Sequence, residues 1–205
     1  MVFHSLLDLI VEQPNHAESL LAGIERAVLS IKGFLKPAKW DLVRSKLSIN
    51  PTVLKLSVIF GDIQATKEME KVVMDEKADS NIRRQTLGIL IDSDTPNLQS
   101  LCEKLLTDPE LKVLAVRGLA KYESLGIGEK ITNRLGEFSN GEQNVVVEIL
   151  CGRVSLAGFL LEEIKAGKIS KSVITPYHAT QIHALTSDEL NSKLDKVWGT
   201  VRTSP

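Results

Sequence analysis

Apolar residues recur along most of this chain at the three-to-four-residue spacing that is typical of amphipathic helices. Two segments also share a longer pattern, in which a capping aspartate is followed by an apolar residue, a cation and two further apolar residues, at positions 3, 4, 8 and 11. The capping residues are Asp79 and Asp108, which lie 29 positions apart, and weaker copies begin at Asn50 and Ser139. A period near thirty residues with one capped helix per period predicts stacked helix pairs, which form an α-solenoid.

Caps, prolines and glycines between the apolar stripes predict where the helices begin and end. Residues 53–60 are rich in β-branched side chains and taken alone would suit a strand, but the surrounding helical period favours a helix. A helix capped by Asn15 is expected to stop at Gly33, and Pro37 opens the next one. The other predicted helices cover residues 3–12, 50–60, 64–76, 82–91, 98–106, 110–122, 127–138, 141–153 and 156–166, and two more follow caps at Thr175 and Ser187.

These helices are expected to form one domain over residues 1–205. Residues 1–48 would supply N-terminal helices, residues 50–167 the repeat array, and residues 168–205 a helix pair that caps the open end of the stack. Terminal repeats of a solenoid are usually atypical, since one of their faces meets water. The chain ends with neither a glycine cap nor a charged tail, so we expect a segment excised from a longer protein, with Met1 added for expression.

The composition is typical of a soluble protein with a well-buried core, and it narrows the possible functions. The 205 residues are 43% hydrophobic and 25% charged, and the net charge is −1. Non-specific nucleic-acid binding needs clustered Lys and Arg to neutralise phosphates, so this charge balance argues against a nucleic-acid partner. We find neither a signal peptide nor a run of eighteen apolar residues, so we expect no membrane-spanning segment.

The cysteines and histidines do not form a recognisable metal or redox motif. Cys102 and Cys151 each fall on an apolar stripe, which predicts buried side chains, although the sequence leaves open whether they are paired. His178 and His183 are five positions apart and so do not share a helix face, and the other histidines are remote in sequence. We therefore expect neither a metal site nor any other cofactor in this segment.

Charged pairs and glycines elsewhere have structural interpretations that outweigh catalytic ones. Asp79 with Arg83, and Asp108 with Lys112, recur once per repeat, as helix caps with i,i+4 ion pairs would. The Gly126-x-Gly128 motif has no preceding strand and no third glycine, which favours a turn between helices. No nucleophile accompanies these groups, so we expect this segment by itself not to be an enzyme.

A candidate interaction surface remains. Cations on the first helices of the repeats would suit an acidic partner or a phosphate if they face a concave groove, although a solvated face is the commoner explanation. The tail holds an aromatic-rich polar corner, which suits either an interface or the packing of the capping pair. The candidate residues are Arg83, Arg84, Lys112, Arg117, Tyr177, His178 and Trp198.

The sequence resembles a known family. The Asp-x-x-apolar-Arg/Lys helix starts are similar to HEAT repeats. The tail is more specific, and its three segments are 161–169 (LEEIKAGKI), 177–182 (YHATQI) and 193–202 (KLDKVWGTVR). They resemble the repeat region of the large membrane-bound dehydrogenases of planctomycetes and verrucomicrobia. In that family a propeller-like dehydrogenase domain comes first, HEAT-like repeats follow, and a c-type cytochrome domain closes the chain.

The resemblance implies an exported, extracytoplasmic protein that handles electrons from carbohydrate-like substrates. This chain has no Cys-x-x-Cys-His haem motif and no propeller-like strands, so none of the catalytic or haem-binding residues of the family carries over. The role that carries over is that of a helical spacer, which holds an oxidising domain and a haem domain at a fixed separation. The expected partners are therefore proteins, as neighbouring domains of a parent chain or as separate molecules.

Three alternatives stay open. The first is a free-standing HEAT-type adaptor that binds a peptide or helix in its concave groove. The second is nucleic-acid binding by a helical-repeat fold of the DNA-glycosylase kind, which the charge balance disfavours. The third is an enzyme with an unrecognised site, for which no constellation of residues argues.

Overall fold

The computed structural model describes residues 2–29, 35–47, 50–122 and 124–199. These residues contain thirteen α-helices, three short 3₁₀ turns and no β-strand, so the predicted all-α class is confirmed. The predicted stop at Gly33, Met1 and the end of the chain from residue 200 lie outside the described residues, as does the side chain of His4. The segment that alone would suit a strand lies in a helix, Pro51–Ile59.

The helices follow one another with short connections. In the first half of the chain they are α1 (Val2–Glu12), α2 (Ala17–Leu29), α3 (Trp40–Lys46), α4 (Pro51–Ile59), α5 (Ile63–Met74), α6 (Ser80–Asp92) and α7 (Leu98–Leu105). In the second half they are α8 (Lys112–Leu119), α9 (Leu125–Thr132), α10 (Asn140–Cys151), α11 (Val154–Lys165), α12 (Pro176–His183) and α13 (Asp188–Val197).

The chain divides into two compact units, residues 1–101 and 102–205, and the division falls within α7. These units are defined by packing in space. The sequence instead predicts limits from changes in its pattern, at 1–48 for the N-terminal helices and at 168–205 for the capping helices. They stay predictions.

Residues 1–101 pack around a buried tryptophan. In this unit α1 contacts α2 and α3, α2 contacts α4, and α4, α5 and α6 contact one another. Trp40 is fully buried, and its indole N–H donates to Ser57 Oγ at 2.9 Å, which in turn donates to the Val53 carbonyl oxygen at 2.8 Å. The Phe60 ring meets the indole edge-to-face, with ring centroids 4.8 Å apart. The indole N–H is therefore satisfied inside an apolar core, as burial of a donor requires.

In residues 102–205 each helix packs against the second helix along the chain. One row consists of α8, α10 and α12, and the other of α9, α11 and α13, while α10 contacts α11 and α12 contacts α13 across the rows. The helices of the second row approach closely at Gly128, where an added Cβ would lie 3.0 Å from the Phe159 ring. The absence of a side chain at this position lets the aromatic ring sit directly against the backbone of α9.

The predicted caps of the repeats are confirmed. Asp79 Oδ1 accepts hydrogen bonds from two backbone N–H groups at the start of α6, at 2.9 and 3.1 Å, and Asn50 caps α4 in the same way. Asp108 Oδ1 accepts two such bonds at 2.9 and 3.0 Å just before α8. Ser139 forms a capping box with Glu142. These oxygens satisfy N–H groups that have no partner within the helix.

Two predicted helices are shorter in the structure. The helix expected over residues 110–122 is regular only over Lys112–Leu119. The helix expected over residues 127–138 ends at Thr132 and is followed by a 3₁₀ turn, Leu135–Glu137. The Thr132 hydroxyl donates to the Gly128 carbonyl oxygen at 2.9 Å, and Gly136 follows. A hydroxyl that binds a carbonyl within the helix and a nearby glycine both weaken helix continuation.

Truncation of a core leucine should destabilise the chain far more than truncation of an exposed one. Leu87 on α6 is fully buried, whereas Leu42 on α3 is 48% exposed. We expect Leu87→Ala to lower the free energy of unfolding by about 2–5 kcal/mol, because the lost apolar burial adds to the cost of a cavity. Leu42→Ala should change it by about 0.5 kcal/mol or less. Urea unfolding followed by circular dichroism measures both, and equal losses would contradict the assigned core.

The cap of α6 can be tested with two variants of Asp79, of which one is isosteric with the native side chain. Asp79→Ala removes the oxygen that accepts from Asn81 and Ile82, and we expect it to destabilise the chain by about 1 kcal/mol. Asp79→Asn keeps an acceptor oxygen in the same place and should stay within a few tenths of a kcal/mol of the wild type. If the asparagine variant lost as much stability as the alanine variant, the negative charge of Asp79 would matter more than its hydrogen bonds.

Candidate functional site

A polar pocket lies across the three helices of the first row, α8, α10 and α12. It has a volume of about 320 Å³, which is within the range of small-ligand and peptide side-chain sites. Its lining combines charged and amide side chains with apolar ones. We call it the three-helix pocket, and its lining residues are Arg117, Ala120, Val145, Glu148, Ile149, Gly152, Arg153 and Gln181.

The local sequence of each helix explains why these side chains face outward. On α8 the buried positions are Ala115, Val116, Gly118 and Leu119, so Arg117 between them is left on the exposed side. On α10 the buried positions are Val146, Val147, Leu150 and Cys151, which leaves Glu148 exposed and Val145 and Ile149 half-buried at the edge of the stripe. The pocket is therefore formed by the strip of each helix that is not used in packing.

Side chains of α12 hold the far wall of the pocket against α10. The Tyr177 hydroxyl donates to Glu148 Oε1 at 3.3 Å, and Gln181 Nε2 donates to the Glu148 carbonyl oxygen at 3.1 Å. This carbonyl belongs to the last turn of α10, where carbonyl groups lack partners within the helix. An added Cβ on Gly152 would lie 3.4 Å from Gln181 Nε2, so the glycine leaves room for this approach.

Two groups of the pocket keep hydrogen-bonding capacity. Gln181 Oε1 is shielded from solvent and has no hydrogen-bond donor. Arg117 is exposed and forms no hydrogen bond or ion pair with another described residue. Arg153 differs, since its Nη1 lies 3.5 Å from the Gly152 carbonyl oxygen and it has a further partner. An unpaired guanidinium near an unpaired amide oxygen suits a ligand that brings both an acceptor and a donor.

Of the seven residues predicted for an interaction surface, Arg117 and Tyr177 come together at this pocket. Arg117 lines the pocket. Tyr177 is 62% exposed and lies at the pocket edge, where its hydroxyl donates a hydrogen bond to the lining residue Glu148. Glu148, Arg153 and Gln181 were not among the residues predicted from the sequence. A signal for two of them was present, because Arg117, Glu148 and Gln181 succeed one another at 31 and 33 positions, close to the repeat period.

Arg83 does not lie on an exposed surface, which corrects its assignment as a candidate surface residue. Its side chain is buried with the residue only 4% exposed, and Nε donates to the Val73 carbonyl oxygen at 2.9 Å. Val73 lies in the last turn of α5, so the guanidinium satisfies one of the free carbonyl groups at this helix end. Arg84 next to it is exposed, and its Nη1 lies 3.4 Å from Asn81 Oδ1.

Lys112 is engaged within residues 102–205 and is not a free surface cation. Its Nζ lies 3.0 Å from Glu142 Oε2 and 3.1 Å from the Glu137 carbonyl oxygen, and it sits over the Phe138 ring, 5.1 Å from the centroid. The Ser139 backbone N–H, and after it the Lys112 ammonium, lower the pKa of Glu142 below its usual range. These contacts fix the turn before α10.

His178 and Trp198 also serve the structure of the tail. His178 is 4% exposed, so it does not contribute to an exposed surface as the sequence analysis expected. Its Nδ1 accepts from the Thr175 backbone N–H at 3.3 Å and thereby completes a capping box at the start of α12. The indole N–H of Trp198, a half-buried residue, donates to the Ile174 carbonyl oxygen at 2.9 Å. The packing explanation of this corner therefore holds for His178 and Trp198.

The two cysteines are buried free thiols. Burial raises the pKa of Cys102 to about 12 and that of Cys151 to about 12, the latter with a smaller contribution from the nearby negative charge of Glu148. Neither thiol is therefore poised as a nucleophile, which requires a lowered pKa and access. Within the described part of the chain, no group of three or more His, Cys, Asp or Glu side chains could hold a metal ion.

A second groove lies between α11 and α13. It has a volume of about 410 Å³ and is largely apolar, with Val154, Phe159 and Leu190 among its lining residues. At its rim, Lys193 Nζ lies 3.0 Å from Glu189 Oε1 and 3.4 Å from Glu162 Oε1. The hydrogen bond from Glu189 contributes most to the raised pKa of Lys193, against the effect of burial. The charges at this rim are mutually satisfied.

A third polar cluster surrounds Asp62 in residues 1–101. Asp62 caps α5 by accepting from the Ala65 N–H at 3.0 Å, and its Oδ2 lies 3.2 Å from Lys36 Nζ and 3.8 Å from Arg44 Nε. Lys36 and Arg44 each bind a second carboxylate, at 2.8 Å. Burial raises the pKa of Asp62, but the Ala65 N–H and the two cations together outweigh it and hold that pKa below its usual value. The charges of this cluster are compensated.

No protein-family model matches the chain, and neither a curated protein nor a solved structure matches it. Among the described helices, none combines the length and apolar character needed to cross a bilayer.

The charge of Asp62 should stabilise the fold in a pH-dependent way. Since its pKa is lower in the folded chain than the ordinary 3.8, the stabilisation is complete above pH 3.8 and is lost as the pH falls through the lower, folded-state value. Asp62→Asn keeps the cap and removes the charge. We expect the stability difference between wild type and variant to be constant from pH 7 to about pH 5 and to shrink below about pH 4.

Asp41→Asn is the control, because Asp41 pairs with the same Lys36 but is 61% exposed, and exposed ion pairs contribute little. Urea unfolding at each pH supplies the measurement. A difference between wild type and Asp62→Asn that grew on acidification would contradict the assigned direction of the pKa shift.

Proposed function

We propose that this chain is a non-catalytic protein-interaction module, built as an α-solenoid of HEAT-like helix pairs. The observation that carries the proposal is the packing of each helix in residues 102–205 against the second helix along the chain, which yields two parallel series of contacts. Stacked two-helix repeats generate this pattern, since first helices meet first helices and second helices meet second helices. The four confirmed caps near a thirty-residue period support the same assignment.

The exposed side of one helix row supports a role in binding. A solenoid presents its successive first helices or its successive second helices as one extended surface. On the row α8, α10 and α12, this surface carries the three-helix pocket and the exposed Tyr177, a residue type enriched at interfaces. Arg117, with no partner among the described residues, adds a free charge for recognition.

A non-catalytic role fits the state of the reactive side chains. The two thiols are buried with a raised pKa, and His178 is buried as a helix cap. The carboxylates of Asp79 and Asp108 accept backbone hydrogen bonds at helix starts. Nucleophilic or acid–base catalysis requires such groups to converge on a substrate site, and here they are engaged in holding helices.

The resemblance to the dehydrogenase family makes the proposal more specific. As the HEAT-like region of such an exported redox protein, this chain would hold a dehydrogenase domain and a cytochrome c domain at a fixed separation. Electron transfer is steeply sensitive to distance, so a stiff helical stack would have a physical purpose. Docking to a domain in the same chain can be weak, because short linkers give effective concentrations in the millimolar range.

A free-standing adaptor is the second candidate. The three-helix pocket favours it, since a site of about 320 Å³ with an unpaired arginine can hold a side chain of a separate partner. The two roles differ in the partner that is bound.

The spacer role predicts weak, specific docking of a haem domain. A purified c-type cytochrome domain with one Cys-x-x-Cys-His site is titrated into the ¹⁵N-labelled full chain and followed by NMR. We expect saturable line broadening centred on one helix row, with a dissociation constant at or below about 1 mM. If the row is α8, α10 and α12, Tyr177→Ala should weaken the docking several-fold, because it removes the most exposed aromatic ring of this surface.

Leu42→Ala is the control for a lost exposed apolar side chain and should leave docking unchanged. Broadening spread over the whole surface, or none at millimolar cytochrome, would contradict the spacer role and leave the adaptor role.

A further inference from the structure

We propose that the three-helix pocket binds an acidic segment of a partner protein, with a carboxylate on Arg117 and a backbone N–H of that segment on Gln181 Oε1. The inference rests on the proposed role in protein binding and is independent of whether the partner is a cytochrome. It assigns the ligand chemistry of the pocket from four features of the lining.

The first feature is the fixed orientation of the Gln181 amide. Nε2 donates to the Glu148 carbonyl oxygen at 3.1 Å, and exchanging the two amide atoms would set oxygen against oxygen. Oε1 therefore has a defined position, where it is shielded from solvent and has no donor. A shielded acceptor without a partner is unfavourable. Because solvent does not reach Oε1 in the free protein, a ligand N–H gains this hydrogen bond only after a small shift of the Gln181 side chain.

The second feature is the state of Arg117. It is exposed and has no ion-pair or hydrogen-bond partner among the described residues, unlike Arg83 and Lys112, which bind carbonyl groups within their own units. A guanidinium presents donors in a planar fork that matches the two oxygens of a carboxylate. Since its side chain forms no hydrogen bond or ion pair with the described residues, its guanidinium is available to a ligand.

The third feature is the charge of the lining, which holds two arginines and one glutamate. Glu148 Oε1 accepts a hydrogen bond from the Tyr177 hydroxyl at 3.3 Å, and its negative charge would repel a bound carboxylate. The lining therefore carries one more positive than negative formal charge, and of its two arginines only Arg117 lacks a hydrogen-bond or ion-pair partner among the described residues. A negatively charged ligand fits it better than a cationic one. Glu148 should weaken the binding of that ligand without abolishing it.

The fourth feature is the shape of the pocket, which favours a peptide over an inorganic anion. Its lining includes the apolar residues Ala120, Val145 and Ile149, and its volume is about 320 Å³. These apolar side chains suit the methylene groups of a glutamate and a neighbouring apolar side chain, whereas a small anion would leave them in contact with water. The segment that fits is thus a glutamate beside an apolar residue in an otherwise extended peptide.

The probe is the blocked peptide Ac-Gly-Leu-Glu-Glu-Leu-Gly-NH₂, compared with the same peptide carrying Gln in place of both Glu residues. Each is titrated into the ¹⁵N-labelled full chain, and NMR follows the backbone amides of α8, α10 and α12 together with the side-chain resonances of Arg117 and Gln181. We expect saturable shifts confined to the pocket for the acidic peptide. The glutamine peptide should bind at least about tenfold more weakly, because it loses a charge-assisted contact.

Three variants separate the contributions. Arg117→Gln should weaken the binding of the acidic peptide about tenfold or more while leaving the fold intact, because Arg117 is exposed and forms no hydrogen bond or ion pair with the described residues. Glu148→Gln should strengthen binding, since it removes the opposing charge. Arg84→Gln removes an exposed arginine from α6 and is the matched control, which should bind like the wild type.

Several outcomes would overturn the inference. These are the absence of pocket shifts at millimolar peptide, equal binding of the glutamine peptide, and unchanged binding by Arg117→Gln. Inorganic phosphate is titrated separately, and pocket shifts at the same affinity as the peptide would show a general anion site instead. If a cytochrome domain docks but the acidic peptide does not bind, this inference fails alone. If the peptide binds and no cytochrome docks, the spacer role fails and the inference stands.

Discussion

The structure of residues 102–205 depends on the burial of apolar side chains on both sides of α10 and α11. Each of these two helices packs against a helix of its own row on either side, and α10 and α11 also contact each other. The apolar stripe of each must therefore be wide. On α11 the stripe comprises Leu156, Ala157, Leu160, Leu161 and Ile164, all buried. At roughly 25 cal/mol per Å² of apolar surface, this burial is the dominant favourable contribution. Polar groups are confined to the narrow strip that remains, and the pocket forms there.

The cation four positions after each capping aspartate has a structural role. Arg83 donates to the Val73 carbonyl at the end of α5, and Lys112 donates to the Glu137 carbonyl before α10. In the copy that starts at Ser139, the same position holds Gln143, and its amide donates to the Phe138 carbonyl at 3.0 Å. Three chemically different donors thus satisfy backbone carbonyls between helices. The copy that starts at Asn50 has Leu54 at this position, so a donor is present in three of the four copies. In those copies the donor serves the backbone, which explains why Arg83 and Lys112 are unavailable for a ligand.

The sequence was sufficient to predict the helices and their caps, because both depend on residues close together in the chain. Asp79 and Ser139 cap the predicted helices through bonds that reach only two or three positions ahead. The burial of Arg83 was not predictable in this way, because it depends on which carbonyl the preceding helix presents. The break after Thr132 depends on a balance between one hydroxyl and the helix backbone, which a spacing pattern does not contain.

The pocket was partly predictable from the sequence. Its residues are distant in the chain, but the repeat relates their positions. Arg117 and Glu148 both stand nine positions after the capping residue of their helix, Asp108 and Ser139 respectively. In a stack of similar repeats, equivalent positions on successive helices become neighbours in space. A repeat alignment therefore predicts that these two side chains lie next to each other, but not that one remains without a partner. It does not predict either that the Tyr177 hydroxyl donates to Glu148 from the next helix of the row.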